Sequence, residues 1–143
     1  MKITHRKATL DDIKILNDIQ DKYFDHTARE NFDFLLKNEN YLVIVTTIDN
    51  KIIAYACFSI SYEQSDLLSI CVEKQYRRQN IAQNLLEVCF DYLNMLEVKE
   101  ILLEVNENNI AAQKLYLKLA FEQIHIRKNY YGDQTAVIMR KTL

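Results

Sequence analysis

The chain has 143 residues, about one domain's worth, and its 49% hydrophobic and 27% charged residues exclude the low-hydrophobicity composition of a disordered protein. A formal net charge of -2 excludes recognition of nucleic acid or an anionic membrane by bulk electrostatics, so an anionic ligand must be held by local geometry. The N-terminus MKITHRKATLDD has no apolar signal core and no run approaches the ~18 apolar residues of a membrane span; a single cytoplasmic domain over 1–143 is therefore expected, with no nucleic-acid or membrane partner.

Residues 2–8 alternate loosely as a short strand, and Thr9 with Asp12 forms a capping box for a helix carrying Ile13, Leu16, Ile19 and Tyr23. Thr27 and Glu30 repeat that start signal ahead of a second, short helix with Phe34 and Leu35 on one side. The β-branched run 41–48, the turn Asp49-Asn50 and the run 51–62 predict a hairpin, and 66–72 a third strand. Between 80 and 97, Ile81, Leu85, Val88, Cys89, Tyr92 and Leu96 recur at helical spacing. Residues 101–105 read as a short apolar strand and 109–119 as another helix; 121–126 and 136–140 read as two last strands around a loop holding Gly132. The succession predicts a mixed α/β domain of the α+β class.

One glycine and no proline is a sparse supply for so many turns. Asn and Asp tolerate left-handed backbone best among the other residues, so Asp49-Asn50 and Asn108-Asn109 are expected to turn the chain in their place. Cys57, Cys71 and Cys89 are odd in number, lack metal-site spacing and sit among apolar neighbours, so they read as reduced core residues. His5, His26 and His125 form no ligand spacing with Cys or carboxylate, and no metal is expected.

The stretch LLSICVEKQYRRQNIAQNLL, residues 67–86, runs from a strand end through a basic loop straight into a long helix. First-turn N–H groups lack intrahelical partners and lie at the positive end of the helix dipole, so such a loop can cradle phosphate, with Arg77 and Arg78 adding mobile charge. The plainer reading of a basic pair before a helix is a solvated face.

Arg77-Arg78-Gln79-Asn80-Ile81-Ala82 resembles the acetyl-CoA motif Q/R-x-x-G-x-G/A of the GCN5-related N-acetyltransferases. Downstream, LEVNENNIAAQKLYLKLAFEQIHIRKNYY, residues 103–131, resembles the second half of that family, particularly its ribosomal-protein-alanine, RimI-like branch. The resemblance covers about residues 66–140 and is weak over the first 65, where the family varies with the acceptor. It implies a mostly antiparallel mixed sheet of about six or seven strands flanked by about four helices. The activity implied is direct transfer of acetyl from acetyl-CoA to a primary amine, possibly a protein N-terminal α-amine. A small-amine acetyltransferase and a catalytically silent coenzyme A-binding domain are the alternatives. The molecule is expected to be a monomer or homodimer.

By the same resemblance, the backbone of Ile70, Cys71 and Val72 pairs with pantetheine as an added strand. The segment Arg77, Arg78, Gln79, Asn80, Ile81, Ala82 and Gln83 grips the pyrophosphate through main-chain N–H groups. Asn109 matches the asparagine that bonds the pantetheine arm, and it also reads as an N-cap. Tyr116 matches the acid that protonates the departing thiolate, beside its plainer reading as a core aromatic. Glu104 matches the base of the RimI-like branch, beside its reading as an outward residue of an alternating strand. Tyr130 and Tyr131, with Arg127 and Asn129, match an RxNYY segment that lines the acceptor side. Asn80 stands where the motif has glycine, Lys74 where proline is frequent, and Ala120 at the glycine of the usual L-G-F corner. The Asn80 replacement is expected to weaken cofactor binding, since a Cβ hinders close approach to phosphate.

Overall fold

Two runs, Leu42 to Ile48 and Ile52 to Phe58, are buried along their whole length. A strand alternates only when one face meets water, and these read as nearly continuous apolar sequence because helices cover both faces of the sheet they occupy. The computed structural model describes residues 1–131 and 134–143, and of residues 129–131 only the backbone. In chain order the elements are β1 (Ile3–Lys7), α1 (Ile13–Tyr23), α2 (Phe32–Leu36), β2 (Tyr41–Ile48), β3 (Lys51–Ser61), β4 (Gln64–Val72), α3 (Ile81–Met95), β5 (Glu100–Asn106), α4 (Ile110–Lys118), β6 (Glu122–Tyr131) and β7 (Gln134–Thr142). The seven strands form one sheet in the order β1-β2-β3-β4-β5-β7-β6, antiparallel throughout except for the parallel β4–β5 pair. The α+β architecture expected from the sequence is the one observed.

Two cores flank the sheet. On one face α3 packs Leu85, Leu86, Cys89 and Leu93 against Ile44, Phe58 and Ile101, and α4 adds Tyr116 and Leu119. On the other, Leu16 and Ile19 of α1 and Phe32 and Leu35 of α2 cover Val43, Val45 and Tyr55. All three cysteines are buried in these cores with free thiols. Among the described residues no helix is long and apolar enough to cross a membrane.

The start of α2 corrects the sequence reading. Thr27 does not cap it: its hydroxyl and its N–H both bond Asp25 Oδ1, at 2.6 and 2.9 Å. The cap is Asn31, whose side chain accepts from the Phe34 N–H. Glu30 is claimed instead by Gln20, which is fully buried and bonds both the N–H and the C=O of Glu30, at 2.8 and 2.9 Å. Phe34 and Leu35 do not share a side either, since adjacent helical residues point about 100° apart; Leu35 is buried and Phe34 is 51% exposed. At the first helix the Thr9–Asp12 signal holds, with the Asp12 carboxylate accepting from the Thr9 N–H at 2.8 Å, but a 3-10 turn over Leu10–Asp12 precedes α1.

Left-handed backbone is carried by Asp49 and Asn50, which form the expected two-residue hairpin turn, and by Asn80. It is carried equally by Tyr62, Arg78 and Glu97, where the sequence gives no such signal, and by Ala120, which stands at the glycine of the L-G-F corner, while Asn108 and Asn109 turn the chain without it. Glu97 and Ala120 share one cause. Each ends its helix in a six-to-one capping motif: Val98 N–H bonds Leu93 O at 3.0 Å beyond α3, and Phe121 N–H bonds Tyr116 O at 2.9 Å beyond α4. The residue at the corner of that motif must be left-handed, whatever its side chain. We therefore expect Glu97→Gly and Ala120→Gly each to raise the unfolding free energy by about 1 kcal/mol, seen as a higher denaturant midpoint with unchanged slope.

Candidate active site

Strands β4 and β5 pair only from Gln64–Glu100 to Asp66–Leu102 and then part. Between the diverging halves lies a cleft of about 730 Å³, bounded by the free side of β4, the start of α3, the end of β5 and one face of α4. Ile70, Cys71, Val72, Arg77, Arg78, Asn80, Ile81, Ala82, Gln83, Glu104, Asn109 and Tyr116 all line it. Gln79 does not: its side chain turns back to the Gln75 carbonyl at 3.3 Å.

The free edge of β4 is defined by alternation. Glu73 N–H donates to Ile53 O on β3 at 2.9 Å, so in an antiparallel pair the backbone groups of Cys71 also face β3 while those of Ile70 and Val72 face the cleft. The Cys71 N–H is thus unavailable to a ligand, which narrows the sequence reading to its neighbours. An extra residue at Leu68, opposite the Cys57/Phe58 step of β3, kinks β4 near the point where it leaves β5.

The start of α3 is unlike those of α2 and α4. The two latter have capping asparagines, Asn31 and Asn109, whereas Asn80 makes no side-chain cap. Its backbone is left-handed, φ 61° and ψ 18°, away from the extended geometry from which a cap reaches back. The first bond of the helix is Asn84 N–H to Asn80 O at 3.0 Å, so the N–H groups of Ile81, Ala82 and Gln83 are left to bind an anion. Asparagine adopts at position 80 the conformation for which the motif uses glycine.

Arg77 is held rather than mobile. Its Nε donates to Val72 O at 2.9 Å and its guanidinium lies 4.7 Å from the centre of the Tyr23 ring. Tyr23 Oη donates to Glu73 Oε1 at 2.8 Å and accepts from the Lys74 N–H at 2.9 Å, and Lys22 Nζ bonds Glu73 Oε2 at 2.9 Å. Burial alone would raise the Glu73 pKa, but the Lys22 and Tyr23 hydrogen bonds outweigh it and hold the carboxyl below its usual range. The end of α1 thereby fixes the loop between β4 and α3. Sequence reading gave Tyr23 a core role and Glu73 none.

On the other wall, Asn109 Oδ1 accepts from the Ala112 N–H at 3.1 Å, which leaves its NH2 as a donor at the cleft. Tyr116 is 7% exposed and its ring packs against Phe121, centroids 5.6 Å apart. Burial pushes its pKa up to about 12, so the hydroxyl keeps its proton at any physiological pH. Glu104 is exposed, and Arg127 Nη1 donates to its Oε1 at 3.2 Å; it is the outward residue of an alternating strand, and that outward face of β5 is here a wall of the cleft. Cys71 is the cleft's one thiol, pushed up to about 11 by burial. The side chains of Asn129, Tyr130 and Tyr131 lie outside the described part. Among the described residues no group of His, Cys, Asp and Glu side chains is placed to hold a metal ion.

Among the described charged side chains lining the cleft, Arg77, Arg78, Lys114 and Lys118 are cations and only Glu104 is an anion. The local field is thus opposite in sign to the chain's net charge of -2.

Comparison with known proteins points to one family. The sequence profile of the Acetyltransferase (GNAT) family matches residues 11–121. The [ribosomal protein bS18]-alanine N-acetyltransferase of Escherichia coli K12 is 36% identical over 107 residues, 72% of each chain. The crystal structure of the ribosomal-protein-S18-alanine N-acetyltransferase from E. coli superposes with a TM-score of 0.88 and 29% identity, covering 99% of this chain and 94% of that one. Arabidopsis thaliana NAA60 in complex with acetyl-CoA has the same fold at 16% identity, TM-score 0.85, with 99% of both chains covered.

Burial raises the pKa of Cys71 to about 11 and those of Cys57 and Cys89 further, which predicts that none of the three reacts with a thiol reagent in the native protein at pH 7.5. All three should label in denaturant; intact mass before and after unfolding measures the difference.

Proposed function

The chain belongs to the acetyltransferase (GNAT) family, and on that premise we propose that it transfers the acetyl group of acetyl-CoA to the α-amine of a protein N-terminus, of the alanine type named in its bacterial relatives. One observation carries the cofactor reading: the uncapped start of α3 and the unpaired edge of β4 open into the same positively charged cleft. A diphosphate suits the first, an amide-bearing extended arm the second. The protein acceptor rests on the relatives' activity together with Glu104 in the cleft wall, which Arg127 bonds.

In this reading residues 1–143 act as one catalytic domain. The N–H groups of Ile81, Ala82 and Gln83 receive diphosphate oxygens, with Arg77 and Arg78 beside them. Ile70 and Val72 offer N–H donors along the β4 edge, Ile70 also offers its C=O, and the Asn109 NH2 faces them. The Val72 C=O is already taken by Arg77. Glu104 accepts the proton that the acceptor amine sheds as its nitrogen bonds the acetyl carbon, and Arg127 orients the carboxylate. Developing charge on the carbonyl oxygen is met by a β4 N–H, and as the C–S bond breaks the thiolate takes its proton from Tyr116 Oη. Burial makes that hydroxyl a reluctant acid in the empty site, so its first service is a hydrogen bond to sulfur, with full transfer once charge has accumulated there. Cys71, kept protonated, forms no acyl-enzyme, which makes the transfer direct between two bound substrates.

The test is acetylation of a peptide panel followed by mass spectrometry. Peptides with free N-terminal alanine should gain 42 Da on the α-amine, as acetyl replaces hydrogen, while N-formylated controls should not; turnover confined to polyamines or other small amines would overturn the protein acceptor. Tyr116→Phe and Glu104→Gln should each lower kcat by roughly 10²-fold or more, whereas Cys71→Ala should retain turnover. Replacing Asn80 with glycine should tighten acetyl-CoA binding by a few-fold in calorimetry, because the left-handed turn then carries no Cβ between backbone and phosphate.

A further inference from the structure

Lys114 and Lys118 lie four residues apart on α4, and with Ala111 and Leu115 they form the helix face turned to the cleft. Like charges at this spacing repel and weaken an isolated helix. Nothing in α4 offsets them: IAAQKLYLK contains no acidic residue, and among the described residues neither lysine makes a hydrogen bond or ion pair. A lysine in the last turn can serve a helix's C-terminal carbonyls, but at α4 that position is filled from elsewhere, by Lys141 Nζ donating to Leu119 O at 2.8 Å. Two exposed cations are therefore kept side by side on a wall facing a ligand cleft, with no structural partner.

They line the same cleft as the diphosphate seat but come from a different element. Arg77, Arg78 and the free N–H groups of α3 belong to the loop after β4, and the two lysines to the helix after β5. One diphosphate satisfies the first group, so the second calls for another phosphate on the same ligand. Resting on the acetyl-CoA reading above, we propose that Lys114 and Lys118 form a phosphomonoester subsite that binds the 3′-phosphate of the nucleotide end and so distinguishes acetyl-CoA from its 3′-dephosphorylated form. Two flexible ammonium groups suit a doubly charged, solvent-facing phosphate, which needs point charges more than a planar fork.

The experiment titrates full-length protein with acetyl-CoA and with 3′-dephospho-acetyl-CoA by calorimetry, at low and raised ionic strength. Wild type should prefer the phosphorylated form by roughly tenfold or more, and the preference should shrink as salt rises. The K114A/K118A variant, relieved of the like-charge pair, should fold with a melting temperature no lower than that of wild type and bind both forms about as weakly as wild type binds the dephospho form. Single variants should fall between. Equal affinity of wild type for the two forms, or an undiminished preference in the double variant, overturns the subsite while leaving the acetyl-CoA reading intact. Failure of wild type to bind either form overturns both. Should the double variant not fold, Lys118→Gln alone decides: an unchanged preference sinks the proposal and a reduced one supports it.

Discussion

The rest of the structure depends on strand β4 keeping its partner on one side and losing it on the other. Its ladder with β3 runs to Val72, but its ladder with β5 stops after Asp66. A buried backbone group without a partner is costly, so a strand that abandons its neighbour in mid-sheet must meet water or a ligand instead. The extra residue at Leu68 supplies a local kink, and α3 and α4 wall the gap that results. Most of the groups named for chemistry reach the gap near an element end: Asn80 before α3, Glu104 near the end of β5, Asn109 before α4 and Tyr116 in its last turn.

Local physics made part of this legible beforehand. The loop and helix start of residues 77–83 could be singled out because their chemistry is consecutive, whereas Tyr116 and Asn109 were singled out by the family resemblance; nearly all of them line the cleft. At Asn80 the backbone is left-handed, a conformation asparagine tolerates next best to glycine. What escaped was non-local. Tyr23 meets Glu73 across 50 positions, and no spacing rule connects the end of one helix to a loop on a distant strand. Thr27 and Glu30 misled because a capping box is judged by pattern alone; the Gln20 amide, ten residues away, had already taken the Glu30 N–H. The left-handed corner at Glu97 was hidden for a different reason: the capping motif fixes the backbone first, and the side chain is tolerated; at Ala120 the same motif could be suspected only because the family resemblance puts a glycine there.

Electrostatics divides in the same way between whole and part. A chain with net charge -2 says nothing of a site whose wall carries four cations against one carboxylate. Elsewhere basic residues pair with acids on their own or neighbouring elements, as Lys14 does with Asp18, Lys37 with Asp33 and Arg140 with Glu122. Such exposed pairs contribute little to stability, but they leave the cleft as a place where positive charge is uncompensated. Attraction for a polyanion is thus produced by placement, without excess basic composition.

The brevity of the β4–β5 ladder has a mechanical side. Three residue pairs join a four-stranded leaf, β1 to β4, to a three-stranded leaf of β5, β7 and β6. Such a seam carries fewer backbone bonds than the eight-pair ladder between β2 and β3, and the core beneath α3, which joins Ile44 and Phe58 to Ile101, does the rest of holding the leaves together. An occupant that bonds the β4 edge on one leaf and the α4 wall on the other bridges them like mortar, and the molecule stiffens as a unit when it is loaded.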